Sequence, residues 1–117
     1  MEPHAELALV RLALTCGTFG CCVWDDRAAR RIRGDRAFKD LTPDNILDFL
    51  CDFVANKGGE ITQREEKRAE YSDRRFWYRV VVPVPVFPHG LFVEMVLDDD
   101  DPEVPVVRLV NAHEQRR

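Results

Sequence analysis

The sequence predicts an α+β fold: N-terminal helices packed on one face of a three- to four-stranded antiparallel sheet. Three observations predict it. Apolar residues recur at helical spacing as far as Gly59. From Phe76 onward they alternate at the period of a strand. The segments joining the later strands are too short to hold a crossover helix, which favours an antiparallel arrangement. The 117 residues show no internal repeat and no linker, so residues 1–117 read as one domain.

Taken in order, Leu7, Val10, Arg11 and Leu14 follow helical spacing, thickened by Ala5, Leu9 and Leu12. Residues 4–15 are therefore expected to be a largely buried helix, ended by Gly17. Thr18 to Trp24 is short and apolar, either a strand or a buried connection. A second short helix is expected over Arg27–Arg33, stopped at Gly34, with Asp25 and Asp26 at its start and arginines toward its end to suit the helix dipole. Thr42-Pro43-Asp44 is a helix start, with Thr42 as N-cap and Pro43 at the first helical position. Ile46, Leu47, Phe49, Leu50, Phe53 and Val54 give that helix one broad apolar face, and Lys57-Gly58-Gly59 closes it.

Residues 60–75 are charged and aperiodic, and read either as an exposed strand leading to a turn near Tyr71-Ser-Asp73 or as a solvated helix. Phe76 to Phe87 reads as a strand, with Phe76, Tyr78, Val80, Val82, Val84 and Val86 on one face. Pro83 and Pro85 lack backbone donors on the same side, which marks one backbone edge of that strand as unpaired or bulged. Leu91–Leu97 and Val104–Val110 are the remaining strands, separated by a turn over Asp98-Asp-Asp-Asp-Pro-Glu103.

Composition excludes several functions. Seventeen basic and 21 acidic residues give a net charge of −4. Gripping a phosphate backbone favours a basic surplus, so no DNA partner is expected, and RNA contact would need a local patch. Arg27, Arg30 and Arg31 would share one helix face, diluted by Asp25, Asp26 and Asp35. No 18-residue uncharged span exists, and Glu2 and Glu6 stand where a signal peptide wants positive charge, so no membrane segment is expected. Cys16, Cys21, Cys22 and Cys51 lack metal-ligand spacing and sit among apolar residues. They read as reduced thiols acting as small hydrophobes, which points to the cytoplasm. The four aspartates Asp98–Asp101 lack the alternating ligands and glycine of a calcium loop and read as a hydrated hairpin tip. No metal or other cofactor is expected.

Reactive residue types gather in the last two strands: His89, Glu94, Arg108 and His113. A ribonuclease that works without metal needs a base for the 2′-hydroxyl, an acid for the leaving oxygen and a cation for the developing charge. Glutamate, histidine and arginine suit those tasks. Helices followed by an antiparallel sheet, ending in Val106-Val-Arg-Leu-Val-Asn-Ala-His113, resemble the barnase–EndoU–colicin–RelE-like superfamily of small ribonuclease toxins. Arg108 to Arg116 is similar to the last strand and basic tail of its BrnT-type members. The resemblance covers the final third of the chain. It implies a toxin–antitoxin setting, with Glu94 as base, Arg108 as phosphate ligand and His113 as acid.

The residues alone also admit a structural role. Antiparallel pairing that sets Glu94 opposite Arg108 and Met95 opposite Val107 gives an ordinary cross-strand ion pair, contributing about 0.2–1 kcal/mol. His89 then faces His113. Side chains alternate, and five residues separate each histidine from its strand-mate, so the histidines and the ion pair point to opposite faces. A catalytic trio needs a bulge near Gly90 or Asn111 to bring them together.

The binding candidates are Arg75, Trp77, Arg79 and His89. If Phe76 and Tyr78 meet the helices, Trp77 lies on the outer face between Arg75 and Arg79, a combination suited to protein interfaces and to base stacking. The function expected is a cytoplasmic protein-binding or regulatory module that uses this face and the proline-marked edge, for another protein or a second copy of itself. The alternative is the metal-independent endoribonuclease.

Overall fold

The computed structural model describes residues 2–16, 20–71 and 73–116. Helix α1 spans Pro3–Thr15, β1 Cys22–Trp24, α2 Asp26–Gly34 and α3 Pro43–Asn56. Strand β2 spans Thr62–Glu65, β3 Phe76–Val84, β4 Phe87–Asp99 and β5 Val106–Glu114. Short 3-10 turns lie at Arg36–Phe38 and Ala69–Tyr71. No helix among the described residues is long and apolar enough to cross a membrane.

The α+β class is as expected, but the sheet is larger and mixed. Its five strands run in the order β1-β5-β4-β3-β2. Four are antiparallel neighbours, whereas β1 lies parallel to β5, pairing Cys22 with Val107 and Trp24 with Leu109. The additional strands are the ones the sequence marks least. Strand β1 is three residues long, and β2, Thr-Gln-Arg-Glu, is an edge strand with no buried residue. Of the two readings for residues 60–75, the strand holds for Thr62–Glu65, followed by a loop with one 3-10 turn; Ser72 lies outside the described residues.

Helix ends follow local chemistry. Thr42 Oγ accepts from the Asn45 N–H at 3.1 Å while Asn45 Oδ1 accepts from the Thr42 N–H at 3.4 Å, a reciprocal capping box ahead of Pro43. Asp25 accepts from the Ala28 N–H at 3.2 Å and starts α2. Helix α1 ends at Thr15, and Gly17 lies outside the described residues.

The last three strands all differ from expectation at their ends. Phe87 opens β4 rather than closing β3, because Pro85 and Val86 form the hairpin turn; Pro85 is therefore not a strand residue. Phe87 meets Phe38 edge-on, with ring centroids 5.7 Å apart. Asp98 and Asp99 belong to β4, and β5 begins at Val106 and runs on to Glu114. Pro83 lies in the half of β3 beyond its pairing with β2, which covers only Phe76–Arg79. On that open edge the missing N–H breaks no ladder.

The core lies between the sheet and the helices. Tyr78, Val80 and Val82 of β3, Leu91, Val93 and Met95 of β4, and Val107, Leu109 and Ala112 of β5 are all at most 1% exposed. Val10 and Leu14 from α1 and Ile46 and Leu50 from α3 meet them in one cluster. Burying each large aliphatic side chain contributes about 1.5–3 kcal/mol. Helix α3 packs on β3, α1 on β4 and β5, and α2 on β5, so all three helices cover the same face. Trp24 Nε1 donates to the Pro43 carbonyl at 2.9 Å and ties β1 to the start of α3. The opposite face carries Trp77, Arg79, Phe92, Glu94 and Arg108, and no α-helix among the described residues covers it.

Candidate functional site on the outer sheet face

The expected pairing of Glu94 with Arg108 does not form. Glu94 lies opposite Asn111 and Arg108 opposite Val96. His113 faces Phe92, not His89, which is exposed at the far end of β4. The cause is a bulge: Glu94 pairs with Asn111 but the next residue, Met95, pairs with Leu109, leaving Val110 as an extra residue. Phe92, Glu94 and Val96 alternate along β4 and share the outer face, so His113 and Arg108, directly opposite the first and last, share it too. The bulge reverses the alternation along β5 and brings Glu94, Arg108 and His113 to one face.

Arginine from the basic helix holds this irregular stretch. Arg31 donates to Asn111 Oδ1 at 2.9 Å and to the Ala112 carbonyl, occupying backbone that β1 is too short to reach. Arg30 instead bonds back to the Asp26 carbonyl within its own helix.

A loop folds over half of the outer face. Residues 66–75 are closed at the base by the Glu66 N–H donating to the Arg75 carbonyl at 2.8 Å. Arg68 grips both oxygens of Glu66 at 2.8 Å and reaches Glu94 Oε2 at 2.8 Å. Its guanidinium also lies 4.7 Å from the Tyr71 ring centre and 5.7 Å from that of Trp77. The guanidinium beside Glu66 holds that carboxyl down to about 2. Glu94 is 8% exposed and the Glu66 side chain 1% exposed, so Arg68 bridges two buried carboxylates. Arg79 lies across the β3–β4 ladder from Glu94 but makes no ion pair among the described residues.

A second charged group closes the other end. Arg74 donates to the Leu97 carbonyl at 2.6 Å and pairs with Asp98 Oδ1 at 3.3 Å, while Arg108 pairs with Asp98 Oδ2 at 2.9 Å. Arg108, and to a lesser degree Arg74, lowers the Asp98 carboxyl below the usual range, and Asp98 raises Arg108 in return. Among the described residues no cluster of three or more histidine, cysteine or acidic side chains is arranged to hold a metal.

Glu94 and Arg108 line a groove of about 400 Å³ with Arg68, Tyr71 and Arg74 on its walls and Val96 on its floor. His113 lines a different hollow of about 470 Å³, with Arg31, Phe38, Phe87 and Phe92. The three residues share a face without converging in one cleft. Each also has a partner already: Glu94 has Arg68, Arg108 has Asp98, and His113 stacks on Phe92 with centroids 4.6 Å apart and planes within 13°.

Of the binding candidates, Trp77 is on the outer face, half-buried, its ring centre 6.4 Å from that of Phe92. Trp77, Phe92 and His113 thus form an aromatic row across three strands. Arg79 is half-buried on the same face, and Arg75 lies over the Phe76 ring at 5.0 Å. His89 shares a shallow hollow with Val81 and Pro83 at the hairpin end. Sequence reasoning missed Arg68 and Phe92, and the bonds by which Arg31 and Asp98, which it had noted, hold the site. Phe92 was legible, being two residues from Glu94 on a strand; the three charged residues make contacts 10 to 81 residues away, for which local spacing carries no signal. The chain matches no protein-family model, no curated protein and no solved structure.

Proposed function

We propose that this chain is a cytoplasmic protein-binding module that engages its partner with the outer sheet face and the open half of β3. The observation that carries this reading is the row Trp77–Phe92–His113 on a face that no α-helix among the described residues covers. Its middle ring, Phe92, lies opposite Val81, a valine 38% exposed on the part of β3 that β2 does not pair. Aromatic side chains bury large area at small entropic cost, and an open strand edge supplies unpaired backbone groups to an added strand. Arg79, without an ion-pair partner among the described residues, adds a cation suited to an acidic side chain at the rim.

A photo-crosslinking residue at position 81 tests this in cells. The expected result is one defined protein adduct, lost when Trp77→Ala is added and absent when the probe sits at exposed Asp48 on α3. Equal labelling at both positions would reject the reading. An adduct of twice the chain's mass identifies the partner as a second copy.

The second reading, a metal-independent endoribonuclease of the toxin kind, is favoured by the Val110 bulge, which gives Glu94, Arg108 and His113 a common face. Arg108 retains donors beyond the one bonded to Asp98, enough to take a phosphate. Incubation with RNA in EDTA decides it: cleavage lost in His113→Ala supports the enzyme, and intact RNA at micromolar protein leaves the binding module.

A further inference from the structure

All four cysteines meet where the end of α1, β1 and α3 come together, and they do so as two pairs. The Sγ atoms of Cys16 and Cys21 are 2.8 Å apart. Adjacent residues on extended backbone point to opposite sides, so Cys22 turns away from Cys21; its Sγ donates to the Ala13 carbonyl at 3.3 Å, and the neighbouring Cys51 thiol, with burial, pushes the Cys22 thiol up. None of the four is in a disulfide.

We propose that Cys16 and Cys21 are an oxidisable dithiol that closes to an intramolecular disulfide when the chain meets a peroxide. The two sulfurs need to approach by under an ångström to reach the bonding distance of about 2.05 Å. Their exposure divides the roles. Cys16, which caps α1, is half-buried and the more exposed of the two, whereas Cys21 is 2% exposed. Cys21 is also fixed in space, because its carbonyl accepts from the Val107 N–H at 2.9 Å.

The steps balance. The Cys16 thiolate attacks one peroxide oxygen, the O–O bond breaks and hydroxide leaves, giving a sulfenic acid. The Cys21 sulfur then attacks the Cys16 sulfur; the S–S bond forms, the S–O bond breaks, and the oxygen departs as water with the Cys21 proton. The proton that Cys16 lost on ionising converts the hydroxide to a second water. Two thiols have given two electrons to one peroxide. The hydrogen bond with Cys16, and burial, push the Cys21 thiol up to about 11, so it holds its proton until that second step.

The test is peroxide titration of the full chain followed by thiol counting and chymotryptic mapping. Phe19 lies between the two cysteines, so cleavage after it separates them unless they are bonded. The expected result is a fall from four reduced thiols to two, restored by dithiothreitol, with the peptides on either side of Phe19 joined. Cys22→Ser and Cys51→Ser retain the bond. Cys21→Ser stops at a dimedone-reactive sulfenic acid on Cys16. Four thiols surviving in the wild-type chain, a joined peptide containing Cys51, or disulfides only between chains would each overturn the proposal; Cys21 and Cys22 share one chymotryptic peptide, so loss of the joined peptide in Cys22→Ser would overturn it too.

Discussion

On its inner face the sheet meets three helices through side chains that are almost wholly dry. On its outer face it meets loop 66–75, which buries the Glu66 carboxylate but gives no residue to the core among those described, and is held by two arginines. Apolar burial is non-directional and scales with area, so the inner face gains from every large side chain it covers. Charge contacts are directional and partly screened by solvent, so the outer face gains from a few bonds, each dependent on a single partner. The inner face accordingly specifies the fold, and the outer face presents chemistry that can change without unfolding the chain.

The sharpest way to break this contrast is Leu50→Ala on α3. It empties a site with no exposure and is expected to lower unfolding stability by about 2–5 kcal/mol, read as the urea midpoint. A loss below about 1 kcal/mol would mean that α3 does not seal the core. Next comes Arg68→Ala, which strands the carboxylate of Glu94. The expected loss is about 1–3 kcal/mol, and the companion change Glu94→Gln should recover part of it, because an amide is cheaper to leave there than a charge. If Arg68→Ala is silent, the loop is not fastened through that arginine.

Acid should separate the faces next. The folded carboxyl of Glu66 is depressed to about 2, below its unfolded value, so its contribution is complete above the unfolded value and disappears as pH falls toward 2. Asp98, also lowered, acts in the same direction. Stability measured between about pH 5 and pH 2 should fall with acid, and Glu66→Gln should flatten that fall. The smallest effect is expected from Asp98→Asn, a partly exposed pair with two arginines. It should cost under about 1 kcal/mol and show a weaker dependence on added salt than the wild type.

The same contrast explains what was legible in the sequence. Helix α3 was read almost to the residue, because Thr42-Pro43 states its start and its apolar stripe states its inner side. The alternation in β3 assigned Trp77 to the outer face correctly, since period 2 needs no knowledge of neighbours. Strand β2 stayed one of two readings because an edge strand of polar residues has no buried alternation to display, and β1 likewise because three residues make no period. The candidate site was less legible. Glu94, Arg108 and His113 were picked out by type, but their common face depends on one extra residue, Val110, which looks like any other valine in a strand. Arg68 was hidden within an aperiodic charged stretch, and only the closed loop brings it to Glu94, 26 residues further along the chain.

The parallel pairing of β1 with β5 has a consequence for the order of assembly. Cys22 must find Val107, and among the described residues no other strand is bonded to β1, so that edge is completed only after β5 has emerged from the ribosome. Helices α1 and α2, synthesised first, meanwhile have no sheet to lie on and present Val10, Leu14 and Ile32 to whatever is near. Contacts between distant parts of a chain slow its collapse to the native state. Nascent chains stalled before Val106 should therefore be sensitive to protease throughout α1, and chaperone capture of the N-terminal half should cease once Leu109 is available.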